Sequence, residues 1–204
     1  MKKRVITYID GFNLYFGLKS KGWRKYYWLN LFELSNNILQ ESQTLVKVKY
    51  FTARIEEPEE KRKRQLYFLE ALETLNKIEM FFGKYLTTPM ICRNCGAKWI
   101  KSNEKETDVN IAIELLTDAI MDGFDTALII SGDSDLAPAI KRTKQLCPRK
   151  RIISVFPPKR VSNELKNCAD GYFNLSESKI KCSLFPDEIM KPNGFILHKP
   201  AEWK

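Results

Sequence analysis

Three consecutive segments constrain the architecture more than any other part of the chain: TDVNIAIELLTDAIMDG (107–123), TALIIS (126–131) and DLAPAIKRTKQL (135–146). The first has apolar residues at 109, 112, 113, 116, 119 and 120 and stops at Gly123, the spacing of an amphipathic helix with a glycine terminator. The second is an unbroken apolar run, too short for a helix and without the alternation of a half-exposed strand. A strand apolar on both sides must be covered on both faces. Helices directly before and after it supply the cover, and such crossovers demand parallel strands.

The rest of the chain repeats the theme. RVITYID (4–10) reads as a buried strand ending in the turn sequence Asp-Gly-Phe-Asn. WLNLFELSNNIL (28–39) has helical spacing, LVKVKYFTAR (45–54) alternates like a strand, and PEEKRKRQLYFLEALETLNK (58–77) opens with proline and acids as helices do. KIEMFFGKYL (77–86) and RIISVFPP (151–158) read as strands, SNELKNCA (162–169) as a helix and YFNL (172–175) as a short strand. The expectation is an α/β fold with a mainly parallel sheet and helices on both faces. One domain spans residues 1–175, residues 87–105 form an irregular insertion, and residues 176–204 wrap on the domain as a tail.

Composition narrows the function. Hydrophobic residues make up 44% of the 204 and charged residues 29%, enough for a core and against global disorder. No apolar run approaches the roughly 18 residues of a membrane span, and Asp10 interrupts the first apolar run before a signal sequence could form. Five scattered cysteines do not make a secreted disulfide framework, so a cytoplasmic, reducing setting is expected. The only histidine is His198, which removes Ser-His and Cys-His schemes, and no phosphate-cradling glycine motif is present. Net charge is +9, with basic clusters at 19–25, 61–64, 141–151 and 159–160. That charge suits a polyanion such as nucleic acid. Against it stands an acidic island: Glu104, Glu106, Asp108, Glu114, Asp118, Asp122, Asp125, Asp133 and Asp135, with Lys105 as the lone base among them.

In an open α/β sheet the ligand crevice lies at the carboxyl ends of the strands. Asp10 ends the first strand, with Asn13 a turn beyond it. Asp133 and Asp135 follow the best strand, and Asp108 opens a helix that starts on the same edge. Any one of these acids could simply cap a helix, as Thr107 with Asp108 could. Four such caps meeting at one edge is the less economical account. Like charges so gathered require a cation, and hard oxygen donors suit Mg²⁺ or Mn²⁺.

These residues also carry a resemblance. YIDGFNLYF, EKETDVNIAIELLTDA and ALIISGDSDLAPAIK, in that order, resemble the NYN domain of the PIN-like nuclease superfamily, over roughly residues 4 to 175. The resemblance implies a Rossmann-like three-layer sandwich and a divalent-metal site that cuts RNA. It implies Asp10, Asp108, Asp133 and Asp135 as catalytic metal ligands, Asn13 beside them, and Ser131 as a supporting polar position. A non-catalytic RNA-binding or regulatory adaptor is the alternative. A phosphohydrolase with Asp10 as nucleophile is disfavoured, because Phe12 stands where such enzymes place a second acid.

Two further features bear on partners. Lys19, Lys21, Trp23, Arg24 and Lys25 interleave bases with an aromatic ring after the first acid, a pattern suited to single-stranded or structured RNA. Cys92 and Cys95 form a C-x-x-C pair, half of a zinc site whose other ligands would come from Cys147, Cys168, Cys182 or His198. None of those four is itself paired, which favours a plain loop pair over zinc. No membrane partner is expected, and the oligomeric state, a homodimer included, stays open.

Overall fold

The computed structural model describes residues 2–203, the side chains of 85–87 and 99–104 excepted. A seven-stranded sheet runs through the molecule in the order β4-β3-β2-β1-β5-β6-β7. Its strands are β1 (Lys3–Asp10), β2 (Gln43–Ala53), β3 (Ile78–Ile91), β4 (Lys98–Lys105), β5 (Thr126–Ile130), β6 (Arg151–Phe156) and β7 (Gly171–Asn174). All are parallel except β4, which returns antiparallel beside β3.

Side-chain alternation along the strands divides the core in two. Val5, Ile9, Val48, Leu128 and Ile130 face one cluster. It is completed by α1 (Gly11–Ser20), α2 (Leu31–Asn37) and α3 (Glu59–Glu73). Ile6, Tyr8, Ala127 and Ile129 face the other, under α4 (Thr107–Ile120), α5 (Ala137–Leu146) and α6 (Asn163–Cys168). The chain therefore winds outward from β1 over one face and outward from β5 over the other. The reversal falls between β1 and β5, the topological switch point of a doubly wound sheet.

Three elements depart from the sequence expectation. The turn expected after Asp10 is helix α1, although GFNLYFGLKS holds two glycines and three aromatics, all weak helix formers. Gly17 has a packing reason: a Cβ there would meet Pro157 at 2.9 Å. The 87–105 insertion is not irregular but a two-stranded β3–β4 ribbon. Its Pro89 pairs with Ile100 at the sheet margin, where a missing N–H is tolerated. The C-terminal segment contains α7 (Glu177–Lys181) and a small hairpin, β8 (Glu188–Met190) with β9 (Ile196–His198). It is held by Ile180, Phe185, Leu197 and Trp203, all buried in the α1–α3 cluster.

Candidate active site

Positions 6, 8 and 10 of β1 lie on the α4–α5 face, as do 127 and 129 of β5, and Ser131 continues that alternation one step past the strand. The register pairs Tyr8 with Ile129 and Ile9 with Ile130, so Asp10 and Ser131 arrive side by side at the rim. The Ser131 hydroxyl donates to Asp10 Oδ2 at 2.9 Å and accepts from the Asp133 backbone N–H at 3.0 Å. The Asn13 N–H donates to Asp10 Oδ1 at 2.9 Å, and the Asn13 side-chain oxygen accepts from the Gly132 N–H at 2.9 Å. Asp10 thus caps α1 and is locked to the β5 loop by the same carboxylate. Gly132 is required by a close approach, since a Cβ there would lie 2.5 Å from the Arg160 carbonyl oxygen.

Asp10 is 5% exposed, and its neighbours are neutral donors. Burial pushes its carboxyl up to about 7, against the pull of the Asn13 and Ser131 hydrogen bonds, and the charges of Asp108 and Asp133 push the same way. Asp108 sits in the first turn of α4, behind Glu106, which occupies the cap position at φ 76° without a side-chain cap bond. Thr107 is buried beside it. Asp133 caps a single 3-10 turn, Ser134–Leu136, by accepting from the Asp135 N–H at 3.1 Å. The Asp135 side chain itself is exposed. Among the described residues, no salt bridge involves Asp10, Asp133 or Asp135.

The acidic island is not one feature. Glu114 and Asp118 grip Lys49, which is 4% exposed, at 2.6 and 2.7 Å, and Tyr8 donates to Asp118 at 2.6 Å. Asp122 and Asp125 pair with Arg4 at 3.1 and 2.8 Å, and Asp122 also with Lys150. Glu106 pairs with Lys84 at 2.9 Å. The Glu104 side chain lies outside the described residues. Among the described residues, Asp10, Asp133 and Asp135 stand outside these pairs, and the charge of Asp108 acts on Asp10.

The basic-aromatic segment divides as well. Lys19 closes α1, and Lys21, Trp23, Arg24 and Lys25 follow it. Ten helical residues separate this end from Asp10, about 15 Å of rise. Trp23 packs against the core, and Lys21 and Lys25 lie over the rings of Trp23 and Tyr26. Other cations stand at the carboxyl ends of neighbouring strands. Arg54 stacks on Phe82 at 4.6 Å, Arg160 lies over the exposed Phe16 at 5.8 Å, and Lys84 follows the last β2–β3 pair. Arg54 and Lys84 escaped the sequence reading because their place at the rim is a property of sheet register. Cys92 and Cys95 occupy the ribbon turn, where the Cys95 and Asn94 N–H groups hold the Cys92 thiol below its ordinary range.

Residues 4–177 match the model of the NYN domain. The chain belongs to the NYN family, within the PIN-like superfamily. A curated relative is 6-hydroxy-3-succinoylpyridine 3-monooxygenase HspA of Pseudomonas putida, 30% identical over 174 residues that cover 68% of this chain and 54% of that protein. The chain thus spans about half the length of this curated relative. Among solved structures, a protein of unknown function from Vibrio parahaemolyticus superposes with a TM-score of 0.57. That match covers 90% of this chain and 97% of the other at 17% identity, a likeness of fold alone. NYN is generally a nuclease family. No helix among the described residues is long and apolar enough to cross a membrane.

NYN and other PIN-like nucleases typically use divalent metals. In type and charge the donor set fits one: a buried carboxylate with no salt bridge among the described residues, two further carboxylates acting on it, and hard oxygen donors throughout. In position the fit is looser. Among the described residues, no three His, Cys, Asp or Glu side chains are gathered closely enough to hold an ion as they stand.

Proposed function

We propose that this NYN domain is a divalent-metal-dependent ribonuclease whose site is built on Asp10, Asp108, Asp133 and Asp135. The observation that carries the reading is Asp10: a carboxylate buried at the switch point, flanked by the charges of Asp108 and Asp133, with neutral donors as its hydrogen-bond partners. A carboxylate in that setting is costly to ionise unless a cation joins it. Mg²⁺ or Mn²⁺ bound there would supply Lewis acidity and an activated water.

The chain's own residues divide the remaining work. Asn13 and Ser131 fix the rotamer of Asp10 through its two oxygens, and Asn13 also pins the loop that carries Asp133. Asp108 and Asp133 would hold charge at the rim, where both act on Asp10. Asp135, exposed, is placed to meet substrate or bound water. Arg54, Lys84 and Arg160 would take the phosphates flanking the scissile bond. Lys19, Lys21, Trp23, Arg24 and Lys25 would meet RNA further along the strand, about 15 Å away by the length of α1.

Asp133→Asn is expected to lower Mn²⁺-dependent cleavage of a labelled single-stranded RNA by at least about 100-fold, with RNA affinity changed little. Cleavage at the wild-type rate would overturn the assignment. Salt-sensitive binding by the wild type without any metal-dependent turnover would favour the adaptor. The name of the Pseudomonas putida relative supports a second reading, oxygenation of a pyridine ring. That reading requires substrate-dependent oxygen uptake with a reductant present, measurable on the same preparation.

A further inference from the structure

Beyond Lys84, the β3–β4 ribbon has no role in the site above. β3 makes its last pair with β2 at Gly83 and then continues from Lys84 to Ile91 against β4 alone. At about 3.3 Å per residue, that arm is roughly 25 Å long. At its tip, in CRNCGAK (92–98), the Cys92 N–H donates to the Ala97 carbonyl at 2.8 Å and the Gly96 N–H to the Cys92 carbonyl at 2.9 Å. Gly96 has φ 70°, a left-handed conformation that lets the strand reverse immediately after Cys95. The backbone bonds close the turn over Cys92–Ala97 and so bring both cysteines to its tip. The Cys95 and Asn94 N–H groups and the Cys95 thiol hold the Cys92 thiol below its ordinary range, and both cysteines are reduced.

Two soft donors three residues apart, aimed together and supported by backbone N–H groups, are half of a tetrahedral thiolate site. Zinc requires four ligands, and the described residues do not bring the others. Cys147 follows α5, Cys168 ends α6, Cys182 follows α7 and His198 ends β9, so all four belong to the helical layers or the C-terminal segment. Among the described residues, no third His, Cys, Asp or Glu joins Cys92 and Cys95.

We propose that the ribbon tips of two copies of this chain close on one Zn²⁺, each donating Cys92 and Cys95. A two-fold axis through the ion makes such a contact isologous and self-limiting. Charge favours four thiolates over two. Arg93 and Lys98 are exposed at the tip, so two tips bring four cations together. A zinc with two thiolates is neutral and would not offset their repulsion, whereas a zinc with four carries two negative charges and attracts all of them. Binding releases one proton from each thiol to solvent and changes no oxidation state.

The test uses the full chain under a non-thiol reductant, loaded with Zn²⁺ and then desalted. One zinc for every two chains is expected, with a light-scattering mass twice the 23.8 kDa of the chain. A strong chelator should return the monomer. Co²⁺ in place of Zn²⁺ should give the intense visible absorption of a tetrahedral four-thiolate site. Cys95→Ser should lose zinc, cobalt spectrum and dimer together. Its melting temperature and circular dichroism should stay at the values of metal-free wild type, because neither cysteine belongs to a core cluster. One zinc per chain on a monomer, no retained zinc, or a dimer that survives both chelator and Cys95→Ser would each overturn the proposal.

Discussion

Asp10 shows how one side chain serves fold and site together. It is the N-cap of α1 and also the buried centre of the proposed carboxylate site, so capping does not compete with the proposed role. Asp133 likewise caps its 3-10 turn while acting on Asp10. The cost of this arrangement is readable as pH dependence. Burial raises the Asp10 carboxyl from 3.8 to about 7, so the unfolded chain ionises at lower pH than the folded one. The stability it contributes is complete below pH about 4 and is lost as pH rises through about 7. Asp10→Asn, which does not titrate, should therefore be more stable than wild type in metal-free buffer at pH 8. The gain should be at most about 4 kcal/mol, built up between those two values and absent below them. Urea unfolding across that range checks it, and parallel pH profiles would contradict it. The sequence points to Asp10, Asp108 and Asp133 because each sits at a strand end or a first helical turn. It did not separate Asp133 from Asp135, since two acids at i and i+2 share a face only in an extended chain. Here the chain enters a 3-10 turn after Asp133 and leaves Asp135 exposed.

Among the elements, α4 carries most of the consequence. Its first turn brings Asp108 to the rim, while Glu114 and Asp118, further along, close on Lys49 of β2 and on Tyr8 of β1. This buried network ties the helix to two central strands, and Glu114 and Asp118 raise the Lys49 ammonium pKa against the opposing effect of burial. Lys49→Ala would leave two partly buried carboxylates facing each other. It should destabilise the fold by on the order of 2–3 kcal/mol in chemical denaturation, and a change below about 0.5 kcal/mol would refute the coupling. The amphipathic pattern of α4 was plain in the sequence; its cationic partner was not, because Lys49 lies in a strand far away in the chain. The same physics hid α1 and the ribbon. Weak local propensity in GFNLYFGLKS is overridden by Leu14 and Leu18 burying against the sheet, and a ribbon with Pro89 and Gly96 has little periodicity to read.

At the level of the whole molecule, the charge distribution acquires a geometry. Much of the acidic island is paired within the chain by Lys49, Arg4, Lys84 and Lys150, while the chain as a whole carries a net charge of +9. RNA affinity should then fall steeply with salt, and Arg160→Ala should flatten the logarithmic slope by about 0.7. Filter binding at several salt concentrations measures this, and an unchanged slope would remove Arg160 from the RNA path. Strand and helix alternation made the fold class legible. The order β3-β2-β1-β5-β6-β7 was not, because nothing local says on which side of β1 the fifth strand will pair. That pairing sets Asp10 beside Ser131, on which the proposed site is built.

The central claim is that the rim carboxylates hold a divalent cation, and anomalous diffraction from crystals soaked in Mn²⁺ tests it most directly. The account predicts a peak in contact with the carboxylates of Asp10, Asp108 and Asp133, lost in Asp10→Asn crystals. Well-diffracting crystals at saturating Mn²⁺ with no peak at the rim would contradict it.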